Sequence, residues 1–168
     1  MTLPPPRTPG RYRIALVCLG NICRSPMAHV VLEHQLADAG LGDAVEVASS
    51  GTGGWHVGRG MDQRAAATLT RAGLDPSRHR ARTFDPSWHD DHDLVLAMDR
   101  ANLRDVGGRD ERTRLFRDFD PVDPGDDLPD PYYGGAAGFE EVLRMVERTS
   151  ASLVAELRRE LGQELALR

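Results

Sequence analysis

Residues 14–26 read Ile14-Ala15-Leu16-Val17-Cys18-Leu19-Gly20-Asn21-Ile22-Cys23-Arg24-Ser25-Pro26. The run Ile14 to Val17 is apolar without alternation, as in a central parallel strand buried on both faces. Pro26 sits where a first helical turn tolerates it, and Met27, Val30, Val31 and Leu36 recur at helical spacing up to Gly40. Strand, short polar loop and helix open a βαβ unit, with Cys18 and Arg24 at the two ends of the loop. Backbone N–H groups of such a loop converge on one point, and the helix amino terminus adds partial positive charge, so a tetrahedral dianion fits there. Gly20 is expected to supply unusual backbone angles, and Asn21 to tolerate the left-handed region while tying the loop by side-chain hydrogen bonds. Arg24 offers a planar fork for two phosphate oxygens. The same field favours a Cys18 thiolate at neutral pH.

Working outward, Val45 and Val47 alternate with Glu46 and lead to Ser49-Ser50-Gly51, a second strand that ends in a loop. A second helix is expected from Asp62 to Ala72, stopped by Gly73. Leu94 to Met98 form a third buried strand, followed by a short helical stretch through Leu103, and Leu115 to Phe119 a weaker fourth strand. The segment from Asp120 to Gly138 has no periodicity and reads as a long loop, a form that tends to be functional in a small domain. Phe139, Val142, Leu143, Val146, Leu153, Val154, Leu157 and Leu161 mark a long amphipathic helix. Strands alternating with helices predict an α/β three-layer sandwich, a parallel sheet with helices on both faces and its ligand site outside the strands' carboxyl ends. The expected organisation is a disordered Pro-rich arm at residues 1–10, one domain at 11–163 and a tail at 164–168.

Composition narrows the chemistry. The chain has 168 residues and a formal charge of −5, so no whole-surface field favours nucleic acid or anionic lipid. All 21 basic residues are Arg, which excludes Schiff-base lysine chemistry and Walker-type phosphate binding. No apolar run reaches the length of a membrane span and no signal-peptide h-region precedes Tyr12, so a cytoplasmic protein is expected. Cys18 and Cys23 lie too close together to be the framework of a disulfide scaffold.

A thiolate that attacks phosphorus needs the leaving oxygen protonated, and Asp130 in Asp130-Pro131-Tyr132-Tyr133-Gly134 is the candidate acid. An aspartate before proline is also an ordinary turn former. With the Cys-Leu-Gly-Asn-Ile-Cys-Arg-Ser-Pro loop near the start and Asp-Pro-Tyr-Tyr-Gly late in the chain, the sequence resembles the low-molecular-weight protein tyrosine phosphatases from about Tyr12 to Leu161. Ser50-Gly51-Thr52 with Trp55, Asp62-Gln63-Arg64, His79-Arg80-Ala81-Arg82 and Met98-Asp99-Arg100-Ala101-Asn102-Leu103 carry the resemblance between those motifs. It implies a four-stranded parallel sheet, no metal, no cofactor, and hydrolysis of phosphotyrosine through a phosphocysteine intermediate. By that resemblance Cys18 is the nucleophile, Arg24 binds phosphate and Asp130 is the general acid, later the base for water. Ser25 hydrogen-bonds the thiolate, Asn21 holds the loop, and Leu19, Gly20, Ile22 and Cys23 complete it. Trp55, Tyr132 and Tyr133 match aromatic pocket walls, and apolar Ile22 suits an aryl group where related arginine phosphatases carry threonine. Two departures are His29, where the family usually has glutamate, and Ala72, where many members have a histidine of a supporting network.

The implied partners are tyrosine-phosphorylated proteins, with inorganic phosphate or other oxyanions as ligands of a monomer or weak dimer. Rival readings are a phosphotyrosine-binding module without turnover and an arsenate reductase on the same scaffold, although no cysteine follows Cys23 to carry the latter's redox relay. Cys23 is either an inert small core residue or the partner of Cys18 in a protective disulfide under peroxide. One of the three aromatics is expected to be structural. His89-Asp90-Asp91-His92-Asp93 reads as a polar loop rather than a metal cluster. Asp120, Asp123, Asp126 and Asp127 read as turn formers, and Arg78, Arg80 and Arg82 as solvated surface charge.

Overall fold

In the computed structural model, which describes residues 2–166, the apolar runs become a four-stranded parallel sheet of order β2-β1-β3-β4. The strands are β1 (Tyr12–Cys18), β2 (Val45–Gly51), β3 (Leu94–Ala97) and β4 (Thr113–Leu115). The helices are α1 (Arg24–Asp38), α2 (Gln63–Arg71), α3 (Trp88–Asp91), α4 (Arg100–Asp105) and α5 (Ala136–Ala166). Ile14, Leu16 and Cys18 point from β1 into the larger core, against Met27, Val31 and Leu32 of α1 and Phe139, Val142 and Val146 of α5. Ala15 and Val17 point the other way, to Val95, Val106, Phe84 and Trp88. Both faces of the central strand are thus covered, as its unbroken apolar sequence requires. The chain leaves β1 toward β2 on one side and returns to β3 on the other, so the crevice between the loops after β1 and β3 is the topological switch point.

Five expectations change. The fourth strand is Thr113–Leu115, and Phe116–Phe119 wind into a 3-10 turn instead of extending it. Phe116 and Phe119 are both buried, three residues apart, which suits a three-residue period and not a pleat. The long loop is shorter than expected, because α5 already begins at Ala136, and the same helix continues through the 164–166 stretch expected as tail. Residues 167 and 168 lie outside the described residues.

The Pro-rich arm is not disordered. Leu3 and Pro4 are buried, Tyr12 Oη donates to the Pro4 carbonyl (2.9 Å), and Arg112 and Arg114 donate to the carbonyls of Pro5 (2.9 Å) and Thr2 (2.9 Å). Proline lacks a donor but keeps its acceptor, and Tyr12 and Arg112 supply the donors for Pro4 and Pro5. Asp93 completes the anchorage by accepting from the backbone N–H of Arg7 (2.7 Å) and of Arg13 (2.7 Å). The His89–Asp93 stretch, expected as a polar loop, is largely taken up by α3, which starts one residue earlier at Trp88; His89 Nε2 meets the Val106 carbonyl (2.7 Å) and His92 Nδ1 the Trp88 carbonyl (2.8 Å).

Candidate active site

The loop between β1 and α1 is shaped by where its carbonyls go. Cys18 O accepts from Thr52 N–H (3.0 Å), Leu19 O from Gly53 N–H (2.9 Å), Ile22 O from Asp62 N–H (2.9 Å) and Cys23 O from Met27 N–H (3.0 Å). Asn21 O meets His79 Nε2 at 2.6 Å. A trans peptide points its N–H opposite to its C=O. With these carbonyls turned out to the scaffold, the N–H groups of Leu19, Gly20, Ile22, Cys23 and Arg24 turn inward, forming an anion-binding concavity at the amino terminus of α1.

The strained residue is Asn21, at φ 56°, and not Gly20, whose φ is outside the left-handed region. Gly20 supplies space instead: a Cβ there would lie 3.1 Å from His56 Cδ2. Asn21 is fully buried and held on every side. Its Oδ1 accepts from Arg82 N–H (3.0 Å), its Nδ2 donates to Ser25 Oγ (2.8 Å) and Ser49 Oγ (3.2 Å), and its own N–H donates to Cys18 Sγ (3.3 Å). Such over-determination keeps a non-glycine residue at positive φ. Gly51 lets β2 approach this loop, since a Cβ would sit 2.6 Å from Leu19 O.

Cys18 Sγ lies 2.9 Å from Ser25 Oγ and forms the floor of a cavity of about 350 Å³. The cavity is lined by Leu19, Gly20, Ile22, Cys23, Arg24, Trp55, His56, Asp130, Tyr132 and Tyr133, while Asn21 and Ser25 lie buried behind it. Every residue expected at the site is therefore in the cradle, directly behind it or on its wall. Trp55 (71% exposed), Tyr132 (37%) and Tyr133 (93%) are rim aromatics, and none of the three is a core anchor. The thiol of Cys23 is pushed up by burial and by nearby Asp62, so it stays protonated at neutral pH.

Arg24 is 3% exposed, its Nη1 donating to Asp99 Oδ2 (2.6 Å) and the Leu128 carbonyl (3.0 Å), its Nη2 3.5 Å from Asp130 Oδ2. Burial works against its charge, but the Cys18 sulfur, Asp99 and Asp130 outweigh that and hold the guanidinium protonated. Leu128 N–H donates to Met98 O (2.8 Å), so the segment before Asp130 is pinned to the end of β3. Beyond Asp130, Arg64 donates to the carbonyls of Tyr132 (2.9 Å) and Gly134 (3.2 Å) and sits over the Tyr132 ring. Asp130 Oδ1 accepts from Tyr132 N–H (3.1 Å), which leaves Oδ2 on the cavity side toward Arg24.

The sequence reading missed the roles of Asp99, His79, Ser49, Arg64, Arg82 and His56. Asp99 was findable, because it directly follows β3 at the switch point. Ala72, the departure from a family histidine, is the C-cap of α2, and the histidine that reaches the loop is His79.

The family model for low molecular weight phosphotyrosine protein phosphatase matches residues 13–163. The chain belongs to this family. It is 49% identical over 158 residues to a low molecular weight protein-tyrosine-phosphatase of Streptomyces coelicolor, covering 89% of this chain and 96% of the relative. With low molecular weight protein-tyrosine phosphatase A of Mycobacterium tuberculosis it shares 46% identity over 139 residues, 80% of this chain and 84% of that one. Among solved structures, YfkJ from Bacillus subtilis superposes with a TM-score of 0.83 at 31% identity, covering 89% of this chain and 96% of that chain. Family membership accounts for the sheet, the loop between β1 and α1 and the cysteine at its start. Among the described residues, no helix is long and apolar enough to cross a membrane.

Proposed function

We propose that this phosphatase-family chain hydrolyses phosphotyrosine in proteins, and aryl phosphates generally, through a phosphocysteine intermediate. The observation that carries the reading is the outward turn of the carbonyls of Cys18, Leu19, Asn21, Ile22 and Cys23, which leaves N–H groups of the loop around the space above Cys18 Sγ. Two donors, Ser25 Oγ–H and Asn21 N–H, face the sulfur and stabilise negative charge on it. Asp99 and the Leu128 carbonyl tie the Nη1 corner of Arg24, leaving its Nη2 edge for phosphate oxygens as charge develops in the transition state.

In the first step Cys18 Sγ attacks phosphorus, the S–P bond forms and the P–O bond to the phenol breaks. Asp130 transfers its proton to the departing oxygen. In the second step Asp130 takes a proton from water, the hydroxide attacks the phosphocysteine, and inorganic phosphate leaves as the thiolate is restored. The exposed Trp55, Tyr132 and Tyr133 give the aryl ring a wall to lie against, and half-buried Ile22 an apolar floor. Phosphoserine has no ring to lay against this wall.

The test is steady-state kinetics with aryl phosphates of graded leaving-group ability. Cys18→Ser is expected to abolish turnover while phosphate still binds, and Asp130→Asn to slow poor leaving groups far more than good ones. Substantial turnover by Cys18→Ser, or equal slowing of all substrates by Asp130→Asn, overturns the assignment.

A further inference from the structure

Behind the cradle a run of side-chain hydrogen bonds leaves Cys18 and reaches the surface beside α1. Cys18 Sγ meets Ser25 Oγ, Ser25 Oγ accepts from Asn21 Nδ2, and the same Nδ2 donates to Ser49 Oγ. Ser49 Oγ lies 3.3 Å from His29 Nδ1, and His29 Nε2 bonds to Glu33 one turn along the helix. Asn21, Ser25 and Ser49 are buried, whereas His29 is 22% exposed.

The direction of each bond follows from the ends. Asn21 Oδ1 accepts from Arg82 N–H, so Nδ2 is the amide nitrogen and donates to both serines. The Glu33 carboxyl is held below its ordinary range, first by its bond to His29, and as a carboxylate it can only accept. Nε2 therefore carries the hydrogen, and in the neutral imidazole Nδ1 is an acceptor. Ser49 already receives a hydrogen from Asn21, so its own hydroxyl hydrogen turns to His29. At the other end Ser25 likewise receives one from Asn21, and its hydroxyl hydrogen has two acceptors, the Cys18 sulfur at 2.9 Å and the Ser50 carbonyl at 3.4 Å, of which the sulfur is the nearer.

We propose that His29 is a positioning residue for the Cys18 chemistry. It accepts from Ser49 and so fixes the hydroxyl order that holds the Asn21 carboxamide and leaves the Ser25 hydrogen aimed at Cys18. This rests on Cys18 being the nucleophile. His29 stands at the wall of two clefts, of about 500 and 340 Å³, so the outer end of the run is open to solvent. The charged and titratable groups around it are Glu33 and His34 on α1, and Asp75, Arg78, His79, Arg80 and Arg82 on the segment after α2. Arg82 also donates from Nε to the Ser49 carbonyl (3.2 Å), so Ser49 is held at its backbone while its hydroxyl answers to His29. The one acceptor that sets that hydroxyl is Nδ1, and a side chain without an acceptor there frees it to rotate.

The experiment is a double-mutant cycle on turnover of an aryl phosphate, with thermal unfolding of each variant alongside. His29→Ala is expected to lower kcat roughly five-fold, about the worth of one hydrogen bond, with KM little changed. His29→Asn, whose Oδ1 can accept near the position of Nδ1, restores most of that loss. In a Ser49→Ala background, His29→Ala has no further effect, because the bond it removes is already gone. Losses that multiply in the double variant, or a His29→Asn variant as slow as His29→Ala at equal Tm, overturn the proposal. So does an undiminished kcat in His29→Ala. A wild-type chain without aryl phosphatase activity would defeat the functional reading instead.

Discussion

Asp120, where the chain leaves the 3-10 turn for the loop that ends at Asp130, offers a pH test of how that loop is moored. It is 1% exposed and accepts from Arg117 Nε (2.9 Å), from Arg148 Nε (2.9 Å) and Nη2 (3.0 Å), and from Val122 N–H (2.9 Å). Arg117 in turn donates to the Asp127 carbonyl at 2.6 Å, three residues short of Asp130. Burial alone would raise the Asp120 pKa, but Arg148, the Val122 N–H and Arg117 override it and bring it from the ordinary 3.8 down to about 2. A carboxyl depressed on folding adds stability that is fully present above its unfolded pKa and lost as pH falls through its folded one. Here the gain is about 2.5 kcal/mol at neutral pH, with about half remaining at pH 3. Asp120→Asn keeps the shape, removes the charge and leaves Arg117 buried with weaker partners. It is expected to cost at least about 2.5 kcal/mol at pH 7, a fall in Tm of roughly 5 to 10 °C for a chain of this size. Urea unfolding of wild type and variant from pH 7 to pH 3 measures the gap, which should shrink by about half at the acid end. A gap of equal size at pH 3 and pH 7 would refute the argument, because it would mean that the charge of Asp120 contributes nothing.

Other outcomes follow from single contacts. Asp99 pairs with Arg24 through Oδ2 and caps α4 by accepting from Asn102 N–H (2.7 Å) through Oδ1. Asp99→Asn keeps the cap but not the charge, so kcat/KM should fall as Arg24 shifts toward Asp130, and thermal unfolding should show a loss of roughly 2 kcal/mol. Asp99→Ala should lose about 1 kcal/mol more with the cap. Tyr12→Phe removes the hydroxyl that donates to the Pro4 carbonyl. It should cost about 1 kcal/mol and open residues 2–10 to limited proteolysis, with turnover unchanged. Hydrogen peroxide should oxidise Cys18 to a sulfenic acid that condenses with the Cys23 thiol, releasing water and forming a disulfide. Non-reducing peptide mass spectrometry that finds Cys18 overoxidised and Cys23 free would exclude this.

The parts of the molecule that were legible in the sequence are those fixed by local pattern. Ile14 to Val17 had to be a doubly covered strand, and Pro26 had to start a helix, so the cradle between them could be read directly. The misreadings share a cause: the deciding partner was distant in sequence. The exception is Phe116 and Phe119, which look like strand residues until the local 3-10 spacing of their burial is seen. The arm's prolines advertise lost donors and conceal acceptors: Arg112 fills that of Pro5 from more than 100 residues away, as Arg114 fills that of Thr2. Asp120 reads as a turn former, because Arg148 lies 28 residues on. His79 gave no local sign that it would support Asn21, 58 residues earlier.

The carbonyls of the cradle are engaged by Thr52, Gly53, Asp62, Met27 and His79, groups from four separate stretches of chain. None of those peptides can flip to greet a cation without giving up a bond made elsewhere. The loop is therefore a one-way mould, set before any guest arrives, and an incoming phosphate meets no cost of rearrangement. Selection among guests then falls on their outline and charge, and the speed of capture on how often an anion of the right shape happens by.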